Sequence, residues 1–302
     1  MRSFRWLTSE DIDVDAYLLS DTSWMLFAYV KNPSLAASEE HLNQLALRFA
    51  RGKVSFVAGA LKTEKGSEPL KTVSFSDEVP AEVWCKDGWI RYRLETAEVL
   101  NPGLFLDQTH NRDRLIERIQ AAYERKTLRE TDALLNLFSY TGSFTIASVC
   151  AGLKNTTSVD ASSRYLEWEK LNFDANFGGL AVEHRLIRDD ARDFLRREIK
   201  RGNRYRWIVI DPPTFSRGDK KIFKVQDDMP ELMENAFQCL LPGGAILVST
   251  NDSRWETRAF NVMVTKFARE KELEIEWGRT PSEFGAAHPL KSVWLLSVES
   301  TA

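Results

Sequence analysis

The sequence is poor in cysteine, and its cysteines are not arranged in pairs. Cys85, Cys150 and Cys239 are an odd number, and no two of them form a C-x-x-C motif. Such a set argues against a disulfide framework and against a structural zinc site. The apolar fraction of 43% and nine Trp residues are ample for a hydrophobic core instead.

Long apolar segments and a strong net charge are also absent, and we expect no leader peptide. No apolar run approaches the length needed to span a bilayer, so we expect no membrane association. Residues 1–15 turn acidic where a signal peptide would carry its apolar core, which predicts a cytoplasmic protein. The net charge of −3 does not indicate a nucleic-acid partner, so any basic surface must be local.

Glycine motifs that bind phosphate are missing as well. Neither G-x-G-x-x-G nor G-x-x-x-x-G-K-[ST] occurs in the chain. The turn over residues 139–143 contains one glycine, Gly142, among polar neighbours. This turn disfavours NAD and ATP, and it favours a nucleoside cofactor without phosphates. S-adenosylmethionine is the obvious candidate.

What the sequence does contain is a βαβ unit over residues 134–160. An apolar run ends at Phe138 and predicts a buried strand, and helical character follows over residues 144–151. Residues 156–159 predict a second strand, which ends at Asp160. In a doubly wound sheet, ligands bind beyond the carboxyl ends of the strands. The turn is therefore expected to face the cofactor, with Asp160 accepting hydrogen bonds from a ribose.

Strands and helices alternate along the rest of the chain. We predict a helix over residues 231–241, a turn over residues 242–244 and a strand over residues 245–249, followed by two closely spaced strands near the C-terminus. The pattern predicts a doubly wound, seven-stranded α/β sheet of Rossmann-like type with an antiparallel pair at one edge. Residues 1–97 are expected to form a smaller α+β domain with a hairpin turning at Asp87-Gly88, and residues 98–302 the larger domain.

The most informative pentapeptide follows a predicted core strand. It consists of Asp211, Pro212, Pro213, Thr214 and Phe215. The two prolines fix φ and remove two backbone donors, so the turn is stiff and its carbonyls stay free. Such a rim can hold a flat ring at a fixed distance from a cofactor, with the aromatic residue stacking on it. The simpler interpretation is a strand exit with Phe215 in the core.

Four motifs, in this order, resemble a known family. LNLFSYTGSFT, TTSVDASSRYLEWEKLNF, HRLIRDDARDFL and IDPPTFSRGDKKIFKVQDD are similar to the class I S-adenosylmethionine-dependent methyltransferases that modify bacterial 23S ribosomal RNA. The resemblance covers roughly residues 98–298, includes GLFLDQTHNR, and is greatest to the guanine-N7 methyltransferase domain of a bifunctional enzyme. The 5-methylcytosine enzymes come next. The family relation implies a methyltransferase of ribosomal RNA.

The resemblance also implies roles for individual residues. Asp160 would hold the ribose hydroxyls, and Asp190 would accept a hydrogen bond from the adenine amino group. The whole cofactor site would comprise Phe138, Ser139, Tyr140, Thr141, Gly142, Ser143, Asp160, Ala161, Asp190 and Ala191, completed by Phe105, Asp107 and Gln108. The catalytic rim beneath the target base would comprise Asp211, Pro212, Pro213, Thr214 and Phe215. The basic residues beside this rim, expected to bind the RNA substrate, are Arg217, Lys220, Lys221 and Lys224.

Cysteine placement bears on which base is methylated. Cytosine C5 needs a transient bond from a thiolate, and the 5-methylcytosine relatives carry a Cys just after strand five. Residues 247–252 contain none, and Cys150 and Cys239 lie among apolar residues. Guanine N7 has a free lone pair, so direct in-line transfer without a Cys nucleophile is the leading prediction. The alternatives are a methyltransferase for a small molecule or a protein, and an inactive RNA-binding protein on the same fold.

Overall fold

The structure, a computed structural model, describes most of the chain as two compact units. The described residues are 1–32, 39–63, 66–69, 73–74, 82–96, 101–178, 182–213, 215–217, 222–285, 288 and 290–298. One unit comprises Met1–Thr109 with Pro281–Ala287, and the other comprises His110–Thr280 with His288–Ala302. The predicted domain boundary between residues 97 and 98 stays a prediction.

The first unit is an α+β structure built on a mostly antiparallel sheet. Its elements are β1 (Phe4–Thr8), β2 (Ile12–Ser20), β3 (Ser23–Val30), α1 (Glu39–Arg48), β4 (Lys53–Thr63), β5 (Gly66–Pro69), β6 (Val73–Ser74), β7 (Glu82–Asp87) and β8 (Ile90–Glu95). The strand order is β5-β4-β3-β2-β7-β8, with β1 paired to β2 and β6 paired to β4. The predicted hairpin at Asp87-Gly88 is confirmed, because β7 and β8 pair up to Asp87 and Ile90, and Gly88 turns with φ of 68°.

The second unit contains the alternating strands and helices that the sequence predicts, together with two short strands that it does not predict. They are α2 (Thr109–Glu124), β9 (Ala133–Leu137), α3 (Ser143–Cys150), β10 (Asn155–Asp160), α4 (Ser163–Phe177), β11 (Glu183–Arg188), α5 (Ala191–Arg201), β12 (Tyr205–Ile210), β13 (Phe215–Arg217), β14 (Ile222–Lys224), α6 (Val225–Gln238), β15 (Leu240–Thr250), α7 (Thr257–Glu270), β16 (Glu274–Trp277) and β17 (Lys291–Leu296). Strands β13 and β14 form a separate two-stranded hairpin.

Seven of these strands form one sheet in the order β11-β10-β9-β12-β15-β17-β16. Strands β9, β10, β11, β12 and β15 are mutually parallel, while β17 runs antiparallel to both of its neighbours. The doubly wound sheet and its antiparallel pair are confirmed, with the reversed strand lying one position in from the edge. Every residue of the central strand β12 is buried, because helices cover both faces of a doubly wound sheet.

The parallel arrangement determines where a ligand site can form. The carboxyl ends of β9, β10, β11 and β12 meet at one edge of the sheet, since parallel strands all point the same way. Asp160, Asp190 and Asp211 all lie at or just beyond these strand ends. Three acids widely separated in sequence are therefore brought to one edge.

Two element boundaries near prolines, at Pro230 and at Pro242, differ from the prediction. Helix α6 begins at Val225 rather than at residue 231, and Pro230 lies inside it. The carboxylate of Asp228 accepts a hydrogen bond of 2.7 Å from the amide of Lys224, which satisfies a donor at the helix start. Strand β15 also extends back to Leu240, through the predicted turn over residues 242–244. A local pattern places a boundary at proline, whereas capping and pairing decide it here.

No helix among the described residues combines the length and the apolar character that crossing a membrane requires.

The core of the second sheet leads to a testable prediction. Ile208 on β12 is fully buried, and its truncation leaves a cavity, so we expect Ile208→Ala to lower the free energy of unfolding by about 2–5 kcal/mol. Val262 on α7 is 62% exposed. Val262→Ala should change this free energy by less than about 0.5 kcal/mol. Urea denaturation followed by circular dichroism measures both, and equal losses would contradict the burial of β12.

Candidate active site

The loop between β9 and α3, residues 138–142, has an unusual backbone. Phe138 and Tyr140 have φ of 59° and 52°, and Gly142 has φ of 81°. The left-handed region suits glycine, but a residue with a Cβ pays roughly 1–2 kcal/mol to enter it. Two such non-glycine residues in one short loop are maintained only when surrounding contacts compensate, and such strain is often found at ligand sites.

Hydrogen bonds to the end of β10 and within the loop itself support this conformation. The amide of Ser139 donates to the carbonyl of Val159 at 3.1 Å, and the amide of Gly142 donates to the carbonyl of Ser139 at 2.9 Å. Asp160 accepts from the amide of Tyr140 at 3.0 Å and from the amide of Ser162 at 2.8 Å. One carboxylate therefore joins the loops that follow β9 and β10.

The pKa of Asp160 reflects the partial burial of its carboxyl group. Burial raises the pKa of this carboxyl, and the hydrogen bonds from backbone amides partly offset that rise. A carboxylate has about four lone-pair positions, so the interactions with the amides of Tyr140, Ala161 and Ser162 leave capacity for a hydroxyl donor. Ala161, the next residue, is half-buried.

Asp190 follows β11 and caps α5. Its Oδ1 accepts from the amide of Arg192 at 2.9 Å, and its Oδ2 accepts from the Arg192 guanidinium at 2.7 Å. Burial favours a higher pKa for Asp190, but the hydrogen bonds from Arg192 outweigh it and lower the pKa below its usual value. Ala191 is the first residue of α5 and is buried.

Aromatic contacts join the β13–β14 hairpin to the loop after β9. The ring of Phe223 lies 5.1 Å from that of Phe138, measured between centroids, and the guanidinium of Arg192 lies 5.5 Å from the Phe223 ring. Phe223 is buried, although the hairpin belongs to no larger sheet. Among the side chains that the structure describes there, Phe223 therefore anchors the β13–β14 hairpin beside the strand ends.

The acid and prolines predicted as the rim lie directly beyond β12. Asp211 Oδ1 accepts a hydrogen bond of 2.5 Å from the hydroxyl of Ser249 on β15. Pro212 is buried and Pro213 is exposed, and the backbone of Phe215 begins β13. Thr214 lies outside the described residues. The described part of the rim is thus attached to two neighbouring central strands.

The remaining predicted residues are distributed as follows. Arg217 ends β13, and Lys224, which is exposed, ends β14. Lys220 and Lys221 lie outside the described residues. Phe105, Asp107 and Gln108 belong to the first unit, in which Asp107 and Gln108 are buried. Their part in the cofactor pocket stays a prediction.

A buried polar network beneath the loop after β9 was missed by the sequence reasoning. Its members lie on four successive elements and the loop, and they are Asn136, Ser139, Thr145, Ser158 and Glu169. Glu169 on α4 is fully buried, and burial raises its pKa to about 7. A signal was present, because these polar residues interrupt apolar strands and the buried face of a helix, where unpaired polar groups are costly.

None of the three cysteines has the properties of a reactive thiol. Burial raises the pKa of Cys239 to about 11 and that of Cys150 to about 12. Cys85 is fully buried in the first unit. A reactive thiol needs a depressed pKa and access to solvent, so none of the three resembles a nucleophile.

Comparison with known proteins adds to this geometry. The family profile described as S-adenosylmethionine-dependent methyltransferase matches residues 21–294. Ribosomal RNA large subunit methyltransferase K/L of Pseudomonas paraeruginosa is 36% identical over 172 residues, which are 56% of this chain and 22% of that protein. Ribosomal RNA large subunit methyltransferase K of Neisseria meningitidis serogroup B is 37% identical over 164 residues, which are 53% of this chain and 43% of that protein. The chain thus spans under half the length of these relatives.

A solved structure supports the fold over nearly the whole chain. SMU.776, a methyltransferase complexed with S-adenosylhomocysteine, superimposes with a TM-score of 0.81 at 23% identity. The match covers 98% of this chain and 75% of that one. S-adenosylmethionine, the cofactor predicted from the sequence, is confirmed by the family profile. Because that profile extends over most of the sequence and the sheet has the predicted order, the chain belongs to the S-adenosylmethionine-dependent methyltransferase family.

Proposed function

We propose that this protein transfers a methyl group from S-adenosylmethionine to a base of ribosomal RNA, and that guanine N7 of 23S rRNA is the target. The observation that carries the proposal is the convergence of Asp160, Asp190 and the Asp211–Pro213 rim at one sheet edge. The names of the two ribosomal RNA methyltransferases similar to this chain support the substrate class.

The residues present suit a nucleoside cofactor. Residues 138–143 would surround its methionine end, Asp160 with Ala161 would hold the ribose, and Asp190 with Ala191 would contact the adenine. Carboxylate oxygens are acceptors for hydroxyl and amino hydrogens, whereas a pyrophosphate would require a glycine-rich turn that this chain lacks. When bound, the sulfonium of S-adenosylmethionine supplies an electrophilic methyl group and its own leaving group.

The rim is proposed to hold the target base. Two prolines stiffen the backbone after β12, and Ser249 holds the carboxylate of Asp211. Carbonyl groups at such a rim can accept hydrogen bonds from the amino and imino groups of a base, and Phe215 is proposed to stack on its ring. The chain would thereby contribute orientation, which is the main requirement of an in-line displacement.

The choice of guanine N7 follows from the chemistry that the site lacks. N7 carries a lone pair and no proton, so no general base is needed. Cytosine C5 needs a covalent thiolate adduct, and residues 247–252 contain no Cys. Cys150, which is half-buried, and Cys239, which is buried, have raised pKa values and would be protonated near neutral pH.

The basic hairpin and the first unit are proposed to bind the RNA. Lys224 is exposed at the end of β14, and Arg217, Lys220 and Lys221 belong to the same segment. Cationic side chains beside a base pocket position the phosphate backbone without reading its sequence. The unit that contains residues 1–97 would contribute to substrate recognition.

Cofactor binding gives the first test. We expect Asp160→Ala to weaken S-adenosylhomocysteine binding by about tenfold or more, because it removes a charged hydrogen-bond acceptor from the site. Calorimetric titration measures the affinity, and circular dichroism shows whether the fold is retained. Asp174→Ala removes an exposed carboxylate from α4 and should bind as the wild type does. Equal affinities in all three proteins would contradict the assignment of Asp160.

The product of methylation gives the second test. Incubation with total RNA and labelled S-adenosylmethionine should yield N7-methylguanine, detected by borohydride reduction and aniline cleavage at that position. Label at 5-methylcytosine would contradict the proposed base. With a cell extract in place of the RNA, label in protein or in small molecules would favour a methyltransferase for a small molecule or a protein. Cofactor binding without any transfer would favour an inactive RNA-binding protein.

Cysteine replacement tests the mechanism separately. A variant with Cys85, Cys150 and Cys239 all replaced by Ala should keep the wild-type rate per folded molecule, because no thiolate takes part in the proposed transfer. The rate is measured with the same labelled cofactor and normalised to the folded fraction. A loss of about a hundredfold or more would indicate a covalent thiolate step.

A further inference from the structure

Helix α4 holds the loop after β9 through two buried polar side chains. Glu169 Oε2 accepts a hydrogen bond of 2.6 Å from the hydroxyl of Ser139, and Asn172 Nδ2 donates one of 3.0 Å to the carbonyl of Thr141. Both side chains belong to fully buried residues three positions apart, so they project from the same face of the helix. Helix α4 is therefore hydrogen-bonded to two alternate residues of the loop, Ser139 and Thr141.

The residues on either side of these two bonded positions have left-handed backbones. Phe138, Tyr140 and Gly142 have positive φ, and Ser139 and Thr141 carry the bonds to α4. Left-handed residues with a Cβ would relax to an extended conformation unless surrounding contacts prevented it. In this loop, the residues next to them are the ones that are held by hydrogen bonds. The side chains of α4 supply that restraint.

Glu169 is also the end point of a hydrogen-bond chain. Asn136 Nδ2 donates to Thr145 Oγ1 at 3.0 Å, the hydroxyls of Thr145 and Ser158 are 2.7 Å apart, and Ser158 Oγ donates to Glu169 Oε1 at 2.5 Å. A single carboxylate thus connects β9, α3, β10 and α4. An ionised carboxylate only accepts hydrogen bonds, so it can satisfy both serine hydroxyls at once.

The same side chain limits what residue 142 can be. A Cβ added to Gly142 would lie 2.3 Å from Glu169 Cγ and 2.7 Å from its Oε1. Glu169 therefore fills the space into which any other side chain at position 142 would extend. It contacts the loop at Ser139 by a hydrogen bond and at Gly142 by close packing.

Among the described residues, few charged groups lie near Glu169. His184 on β11 places Nε2 3.8 Å from Glu169 Oε1, but burial lowers the pKa of this imidazole to about 4, so it is neutral near pH 7. Asp160, at the end of β10, repels a negative charge on Glu169. Hydroxyls of Ser139, Ser158 and Thr145 are the groups that favour the ionised form.

We propose that Glu169 is a positioning residue of the cofactor site, which in its ionised form holds Ser139 and Gly142 and so fixes the loop that receives the cofactor. This rests on the proposed role of residues 138–143 in cofactor binding. Because Glu169 is fully buried, direct contact with the cofactor or the base is not part of this proposal. Glu169 acts through the geometry of the loop.

A dependence on pH follows from the hydrogen bonds. Burial, the largest effect on Glu169, raises its pKa to about 7. Above that pH the carboxylate accepts hydrogen bonds from the hydroxyls of both Ser139 and Ser158. Below it the protonated carboxyl must donate one hydrogen bond itself, and one serine loses its acceptor. Cofactor affinity is therefore expected to fall as the pH is lowered through about 7.

The test compares Glu169→Gln with the matched control Glu167→Gln. Glu167 is exposed on the same helix, so its substitution removes the same charge without touching the loop. Calorimetric titration with S-adenosylhomocysteine is made from about pH 6 to about pH 8, since the pKa of Glu169 is about 7. We expect Glu169→Gln to bind about tenfold more weakly at the upper pH and to lose the pH dependence, while the control follows the wild type.

A second variant tests whether Glu169 acts on cofactor binding through Ser139. Ser139→Ala removes the same hydrogen bond from the loop side, so the double variant Ser139→Ala/Glu169→Gln should bind no more weakly than the weaker single variant. Additive losses, or a Glu169→Gln variant with wild-type affinity and pH profile, would overturn the proposal.

Amide hydrogen exchange without any ligand separates this proposal from the proposed function. Residues 138–142 should exchange faster in Glu169→Gln than in the wild type, while the amides of β12 stay unchanged. If the wild type binds no cofactor, the proposed function fails, and the exchange result still decides whether Glu169 holds the loop. Unchanged exchange in the loop would refute the positioning role.

Discussion

The hydrogen bond from the Tyr140 amide to the carboxylate of Asp160 is the contact on which the site depends. It joins the ends of β9 and β10, and the same carboxylate also accepts from the amide of Ser162 before α4. Parallel strands bring the two loops to one sheet edge, but strand pairing alone leaves their conformations undefined. The shared carboxylate defines both, because its acceptor positions fix where each amide must lie.

The strained loop and the buried network below it form one structural unit. Left-handed backbones at Phe138 and Tyr140 cost free energy, and buried polar groups cost more unless they are paired. Here the polar side chains are paired with one another and with the loop, so the network offsets the strain that it also imposes. A loop held in this way is pre-organised, and a ligand that fits it pays less conformational entropy on binding.

The proposed substrate side of the site is built differently from the proposed cofactor side. Two prolines stiffen the rim after β12, and the adjoining hairpin is held by Phe223, which packs against Phe138 and lies under Arg192. Among its described side chains, the β13–β14 hairpin therefore has Phe223 as a buried anchor and Lys224 as an exposed cation. This arrangement suits a partner that is held by charge on its backbone and by shape at its base.

The sequence by itself determined the sheet, the acids at its edge and the family, because hydrophobic periodicity, strand-end residues and motif order are local properties. It also located the hairpin at Asp87-Gly88. Only the tertiary structure decided where α6 and β15 begin, since capping by Asp228 and strand pairing outweigh the local signal of proline. Only the tertiary structure revealed Glu169, because its partners Ser139 and Ser158 come from separate elements and meet only when the sheet and α4 pack together.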